Sequence, residues 1–430
     1  MQSKTDKKRL TILLGAGAVI EATGVSTTSI TKRIINECKG YRATPSNGQS
    51  VVDYICKEYW ETFGKNDPEY KPYSKAKLDV ITKYVNFEDI FHVVELLAGY
   101  SLNSSVKEYT TGYKVFTKFK QKFSHVDRIS ITSTAHKIIN VINDIVAEYS
   151  DQFASKSDYF KDFLQKLEDE YILNIFNLNY DTWCEQSLTS FDDGFRTIPG
   201  YKNLQRFSID EYRKACEKSI NTVAHLHGSI LMGNAELKRD EINRFVYEDD
   251  HECLYKYVDY KSAADYRLRS FKSSSSNQAG ESLFASNIIT GLMKTDKLLW
   301  NPLMEYEHHF YRALTSNKRL LIVGYGFPDK YINKMLWRFQ AKNYGNRKVM
   351  LITKAFEEND WQPQIEPPLN PDSMTIFSDL MFKDQAWFRG VKFSEVEQGY
   401  YSSDNMAALY TCGLKTVVEN YIKDVLGFYK

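Results

Sequence analysis

The chain of 430 residues carries 56 Lys plus Arg against 55 Asp plus Glu, a net charge of +1, and is 43% apolar. This composition supports a large buried core and excludes disordered and fibrous classes. Balanced charge excludes nucleic-acid binding driven by a global basic field. The six cysteines, at 38, 56, 184, 216, 253 and 412, form no Cys-x-x-Cys pair, so the spacing of a zinc knuckle is missing. Sparse thiols of this kind fit a reducing compartment, where they act as small hydrophobes.

At the N-terminus, Lys7, Lys8 and Arg9 followed by Leu10 to Ile20 imitate a secretory signal, but Gly15, Gly17 and Glu21 interrupt it. No window reaches the ~18 apolar residues of a membrane span. The chain reads as cytoplasmic and soluble. Thr11 to Leu14 reads instead as a buried strand entering a tight glycine turn. A helix is expected next, capped at Ser26, Thr27, Thr28 or Ser29, with Ile30, Ile34 and Ile35 facing inward.

From about 49 to 168 the apolar residues recur at helical spacing. Phe87, Ile90, Phe91, Val94 and Leu97 form one stripe, Ile138, Val141, Ile142 and Ile145 a second, and Phe160, Phe163, Leu164 and Leu167 a third. The rhythm then changes to strand-like runs at Ile172–Leu178, Thr222–Leu226, Leu320–Val323 and Val349–Thr353. An amphipathic helix marked by Ile332, Met335, Leu336 and Phe339 lies between the last two. Strand, helix, strand in this order predicts an α/β, Rossmann-like, doubly wound parallel sheet with a large helical insertion. The expected organisation is one domain over 1–430, its core from 1–48 and 169–430, its insertion at 49–168. A flexible serine-rich loop is expected at 270–284, and a closing helix through Leu414, Val417, Val418, Tyr421, Ile422, Val425 and Leu426.

In such a sheet, ligands collect at the carboxyl ends of the strands. The residues standing there are Gly15, Ala16 and Gly17; Asn179, Tyr180 and Asp181; His227 and Gly228; and Gly324, Tyr325 and Gly326. Closely approaching backbone at the first turn suits a diphosphate. The dinucleotide fingerprint is nonetheless incomplete, because its third glycine is Ile20 here and no acidic residue ends a second strand about 20 residues on. Without a G-x-x-x-x-G-K-[ST] run, NTP hydrolysis is disfavoured. His227 is a candidate base because imidazole titrates near neutral pH, and His225, two residues earlier, is expected in a supporting role. Asn179 offers one donor and one acceptor to a ribose hydroxyl or water, and Asp181 suits an Asx cap on the helix near Thr182. The consecutive Asp249 to Cys253, and His308 with His309, lack metal-ligand spacing.

Taken in order, these segments resemble the sirtuin family, specifically a bacterial sirtuin-like branch. Gly15-Ala16-Gly17 resembles its phosphate-binding turn, with Gly24 and Val25 resembling the Gly-Ile that follows. Asn179-Tyr180-Asp181 resembles the Asn-x-Asp segment at the nicotinamide ribose, His227-Gly228 the catalytic His-Gly pair, and Gly324-Tyr325 the Gly-x-Ser element, with Gly326 in place of its Ser. The missing four-cysteine zinc ribbon and the helical insertion resemble the zinc-less branch used in anti-phage defence. That resemblance implies an NAD+ glycohydrolase that depletes cellular NAD+, its substrate, with no metal. His227, Asn179 and Asp181 would be the catalytic residues, and Gly15, Ala16, Gly17, Gly24, Tyr180, Gly324, Tyr325 and Gly326 would bind the nucleotide. It also implies a homo-oligomer, gated with a HerA-type P-loop ATPase partner, with no membrane and no direct nucleic-acid contact. The alternatives are an NAD-dependent protein deacylase or ADP-ribosyltransferase, which would need an acceptor, and a non-catalytic module that senses NAD or ADP-ribose.

Overall fold

Strands covered on both faces have no polar side to present, which is why continuous apolar runs form them here. The computed structural model describes residues 7–38, 50–102, 128–234, 253–264, 268–269, 285–291, 294–298, 300–343, 347–354, 399–401 and 406–430. Within these, a seven-stranded sheet contains β1 (Arg9–Leu14), β2 (Ile172–Asn177), β3 (Thr222–His225), β4 (Arg319–Val323), β5 (Lys348–Ile352), β6 (Gly399–Tyr401) and β7 (Ala407–Tyr410). The order is β6-β7-β5-β4-β1-β2-β3, parallel throughout except for β6, which runs antiparallel to β7 at the edge. Without β6 this is the 3-2-1-4-5-6 order of doubly wound dinucleotide folds, whose strand order reverses between β1 and β4. The expected fold class is the observed one. The sequence reading did not predict β6 and β7.

Alternation along the strands divides the core between the two faces of the sheet. Leu10, Ile12 and Leu14 join Leu173, Ile175, Leu321 and Val323 in one cluster with the insertion and the C-terminal helices. Leu13, Phe176, Leu320 and Ile322 face the other way, onto the helices α8 (Leu303–Ser316) and α9 (Lys330–Asn343) described below.

The first helix departs from expectation. α1 (Gly17–Thr23) starts directly from the glycine turn because Ala18 and Val19 bury there, and Gly24, at φ 68°, caps its end. Only then does α2 (Thr27–Glu37) begin, capped by Ser26 in a reciprocal box with Ser29. The insertion supplies α3 (Val51–Phe63), α4 (Phe87–Leu102), α5 (Arg128–Ser150) and α6 (Asp158–Glu170). All three predicted stripes are buried.

Among the contacts joining the insertion to the strand ends are an aromatic cluster and an amide pair. Trp183, in the short α7 (Trp183–Ser187) after β2, is fully buried with its ring edge-to-face on Tyr149, Phe153 and Phe160. Asn143 of α5 and Asn287 exchange side-chain amide hydrogen bonds at 3.2 and 2.6 Å, and Asn287 Nδ2 also donates to the Ser229 carbonyl. The closing helix is two pieces, α10 (Leu414–Asn420) and α11 (Ile422–Phe428), broken at Tyr421, whose ψ of 10° leaves the helical region. Residues 270–284 and Asp249–Glu252 lie outside the described residues. Among the described residues no helix is long and apolar enough to cross a membrane, and no group of three or more His, Cys, Asp or Glu is placed to hold a metal ion.

Candidate functional site

The turns after β1 and β4 meet at the point where the strand order reverses. Gly15 N–H donates to the Val323 carbonyl at 2.9 Å and Gly17 N–H to the Gly324 carbonyl at 2.8 Å. Gly324, at φ 64°, presses so closely on this turn that a Cβ would stand 2.0 Å from Ala18 N. The glycines are therefore first a backbone-to-backbone contact, and two of the N–H groups expected to face a phosphate are already bonded within the protein. Gly24 lies one helix away as the cap of α1 and does not join this cluster. Gly326 has no positive φ, and a Cβ there would meet nothing within 4 Å, so the backbone does not require glycine and open space lies above it. The neighbouring Phe327 is held at φ 59°, a costly conformation for a bulky side chain. Its carbonyl accepts from Asn333 Nδ2, and its ring packs on Tyr325.

On the other side of β1, the register of β2 and β3 ends with Asn177 opposite His225. Asn179 and His227 each stand two residues farther on, at neighbouring strand tips, and both are 9% exposed. Asn179 Nδ2 donates to the Gly15 carbonyl at 3.1 Å, tying the β2 tip to the glycine turn. Tyr180 OH donates to the Ile289 carbonyl, and Ile289 N–H donates to the His227 carbonyl. Gly228, at φ 81°, allows the Asn287 backbone to pass where a Cβ would collide with it.

His227 has a partner that the sequence reading missed. Its Nε2 lies 3.4 Å from Asp329 Oδ2, which is also 3.5 Å from Lys294 Nζ, and Lys294 reaches Glu88 of α4 at 2.9 Å. Asp329 Oδ1 meanwhile accepts from the N–H groups of Tyr331 and Ile332, capping α9. Burial acts to raise the Asp329 carboxyl, but the His227 hydrogen bond and charge and the Lys294 charge hold it well below the usual carboxylate range. Asp329 was visible in the sequence only as a residue preceding a helix, and Lys294 and Glu88 had no motif at all.

Asp181 is placed differently from its expected catalytic role. It is 1% exposed, Oδ1 accepts from Trp183 N–H at 3.0 Å and Oδ2 from Tyr149 OH at 3.2 Å, so the carboxylate is turned into the interior as a cap. Burial pushes its pKa up to about 6 from an ordinary 3.8. Between those two pH values the unfolded chain ionises while the folded one keeps its proton. Stability therefore falls as pH rises from about 4 to 6, by about 3 kcal/mol, and levels off above. Asp181→Asn keeps an acceptor for Trp183 and removes the charge. Its urea stability relative to wild type is expected to improve steadily across that window, and a pH-independent difference would contradict the placement.

Of the two histidines set aside in the sequence, neither joins the strand-tip cluster. His309 is buried against Tyr212 OH at 2.8 Å, its pKa pushed down to about 3 by burial, and His308 is exposed. A separate cavity of about 590 Å³ is lined by Arg196, Arg206, Ser208 and Arg213, among others, and touches none of the strand-tip residues. Arg196 pairs with Asp192 and Arg213 with Glu305.

A Rossmann-type sheet with a polar cluster at its switch point is the place where doubly wound α/β folds hold their ligands. Residues 173–367 match the family model described as a SIR2-like domain. The matched stretch contains Asn179, His227, Gly324 and Asp329; the glycine turn at 15–17 and the insertion precede it. No curated protein matches the chain. Similar solved structures include a Sir2 homologue mutant in complex with 2′-O-acetyl ADP ribose, at 11% identity and TM-score 0.35, covering 99% of this chain and 94% of that one. Sir2Tm bound to a propionylated peptide matches at 8% identity and TM-score 0.36, covering 98% and 95%. A Sir2 homologue mutant bound to ADP ribose matches at 10% identity and TM-score 0.32, covering 88% and 92%.

Proposed function

We propose that the protein is an NAD+ glycohydrolase that cleaves the nicotinamide–ribose bond to give nicotinamide and ADP-ribose. The observation carrying this reading is the placement of His227, paired with Asp329, beside Asn179 on the next strand tip, next to the glycine contact at the switch point. Loss of nicotinamide leaves positive charge on the ribose, and a water must then attack that carbon. His227 would take the proton from this water or from a ribose hydroxyl, while Asp329 orients the imidazole and stabilises its charged form. Asn179 would align the ribose. The turn at Gly15 to Gly17, with Tyr325 and the open space above Gly326, would receive the diphosphate side. Tyr180, fixed on Ile289, would flank the ribose.

Depletion of NAD+ as an anti-phage effector belongs to the same proposal and rests on the resemblance to the defence branch. Gating by a homo-oligomer or by a HerA-type ATPase rests there too. The deciding experiment incubates the purified full chain with NAD+ alone and follows products by chromatography. Nicotinamide and ADP-ribose in equal amounts, without any acceptor, is the expected result. Product formation only when an acyl-peptide is added would overturn the hydrolase reading.

A further inference from the structure

His225, at the end of β3, is 2% exposed and has an acceptor at each ring nitrogen. Nδ1 lies 3.2 Å from the Asn179 carbonyl oxygen, and Nε2 lies 2.8 Å from Glu185 Oε1. A backbone carbonyl can only accept, and an ionised carboxylate can only accept. A neutral imidazole has a single N–H, so it would leave one of these contacts lone pair against lone pair in a dry interior, which is costly. Two acceptors around one buried ring select the form with two N–H groups.

The surroundings balance that charge. Glu185 Oε1 also lies 3.8 Å from Lys256 Nζ, and Lys256 lies 2.5 Å from Asp193 Oδ2, so two acids and two bases alternate through a buried row. Burial acts to raise the Glu185 carboxyl, but His225 and Lys256 bring it down to about 2. For His225, burial and Lys256 act downward while Glu185 and the Asn179 carbonyl act upward, leaving it above its ordinary value. Asp181, the remaining acid close enough to interact with His225, is bonded to Trp183 and Tyr149. The row is assembled from separate segments: β3, α7 and the short strand Tyr255–Tyr257 contribute His225, Glu185 and Lys256.

We infer that His225 is a standing imidazolium that braces the Asn179 backbone against Glu185, and so is a positioning residue for Asn179. Its importance for turnover rests on the proposed reading of Asn179; its charge state does not. Because the Asn179 carbonyl is held by His225 while its side chain reaches Gly15, the clamp fixes the backbone from which the carboxamide projects. Loss of one ring proton would release one end of the clamp.

The test uses the full chain labelled with ¹⁵N, without NAD+, with His225 assigned by comparison with His225→Gln. Both ring nitrogens are expected to carry protons at pH 8, where an ordinary histidine, with pKa about 6.5, is neutral. In Glu185→Gln, which keeps a polar partner but removes the charge, one of those protons should be lost by pH 8. A single protonated nitrogen in the wild type at pH 7 to 8 would overturn the charge assignment. For positioning, His225→Gln should move the Asn179 side-chain amide resonances and lower kcat at least tenfold with KM changed less than threefold. Unmoved Asn179 resonances, or an unchanged kcat, would overturn the positioning role. If the wild type does not cleave NAD+, the hydrolase proposal fails by itself, and the ring protons and Asn179 resonances still decide the clamp.

Discussion

His227→Ala is expected to lower kcat for nicotinamide release by at least ~100-fold, the loss typical of removing a general base. The imidazole is buried at the strand tip, but the backbone there is held independently of it. The ring's polar contact is with Asp329 at 3.4 Å, while the bond that organises the backbone comes from Ile289 N–H to the His227 carbonyl and survives the substitution. Unfolding should stay cooperative, with any loss of stability limited to the pairing with Asp329. Asn179→Ala is expected to match the kinetic loss but to cost about 0.5–1.5 kcal/mol as well, the net worth of its hydrogen bond to the Gly15 carbonyl, which keeps the Ala18 N–H. Asp329→Asn keeps an oxygen for the α9 cap and removes the charge beside His227 and Lys294, so it should fall between wild type and His227→Ala. Initial rates by chromatography with a stability check on each variant decide the matter. Wild-type turnover in both His227→Ala and Asn179→Ala would remove the site.

How much of this was legible in the sequence depends on where each signal came from. Five sheet strands could be read because each is buried on both faces and so is largely apolar along its length, as Leu320 to Val323 is. β7 escaped because Ala407 and Ala408 are as small as loop residues and acquire their buried character only by pairing with β5. His227 and Asn179 could be named as candidates because strand ends are where such folds bind ligands. Asp329 could not, since an acid before a helix reads as a cap, which is half of its work. Lys294, Glu88, Glu185 and Lys256 act only through partners brought from distant segments, and no spacing encodes that. The glycine turn was legible as glycine but not as a contact with Gly324, because the reason for the small residues lies on another strand.

That contact makes Gly324→Ala the substitution with the largest expected effect on the fold. At φ 64° an alanine is already strained, by about 1–2 kcal/mol. Its methyl would also stand 2.0 Å from Ala18 N and 2.3 Å from Gly17 C, both backbone atoms that cannot rotate away. The β1 and β4 tips would have to separate, breaking the Gly17 N–H bond to the Gly324 carbonyl. A loss of at least about 3 kcal/mol in urea unfolding is expected. Two other glycines separate strain from collision. Gly24→Ala carries a positive φ of 68° but open space, so it should cost about 1 kcal/mol. Gly326→Ala has neither and should stay within about 0.5 kcal/mol of wild type. Equal stability of Gly324→Ala and Gly326→Ala would refute the packed junction. The same pair also reports on function: if the space above Gly326 receives the diphosphate side of NAD+, its methyl should raise KM without touching stability, whereas Gly324→Ala should lose both together.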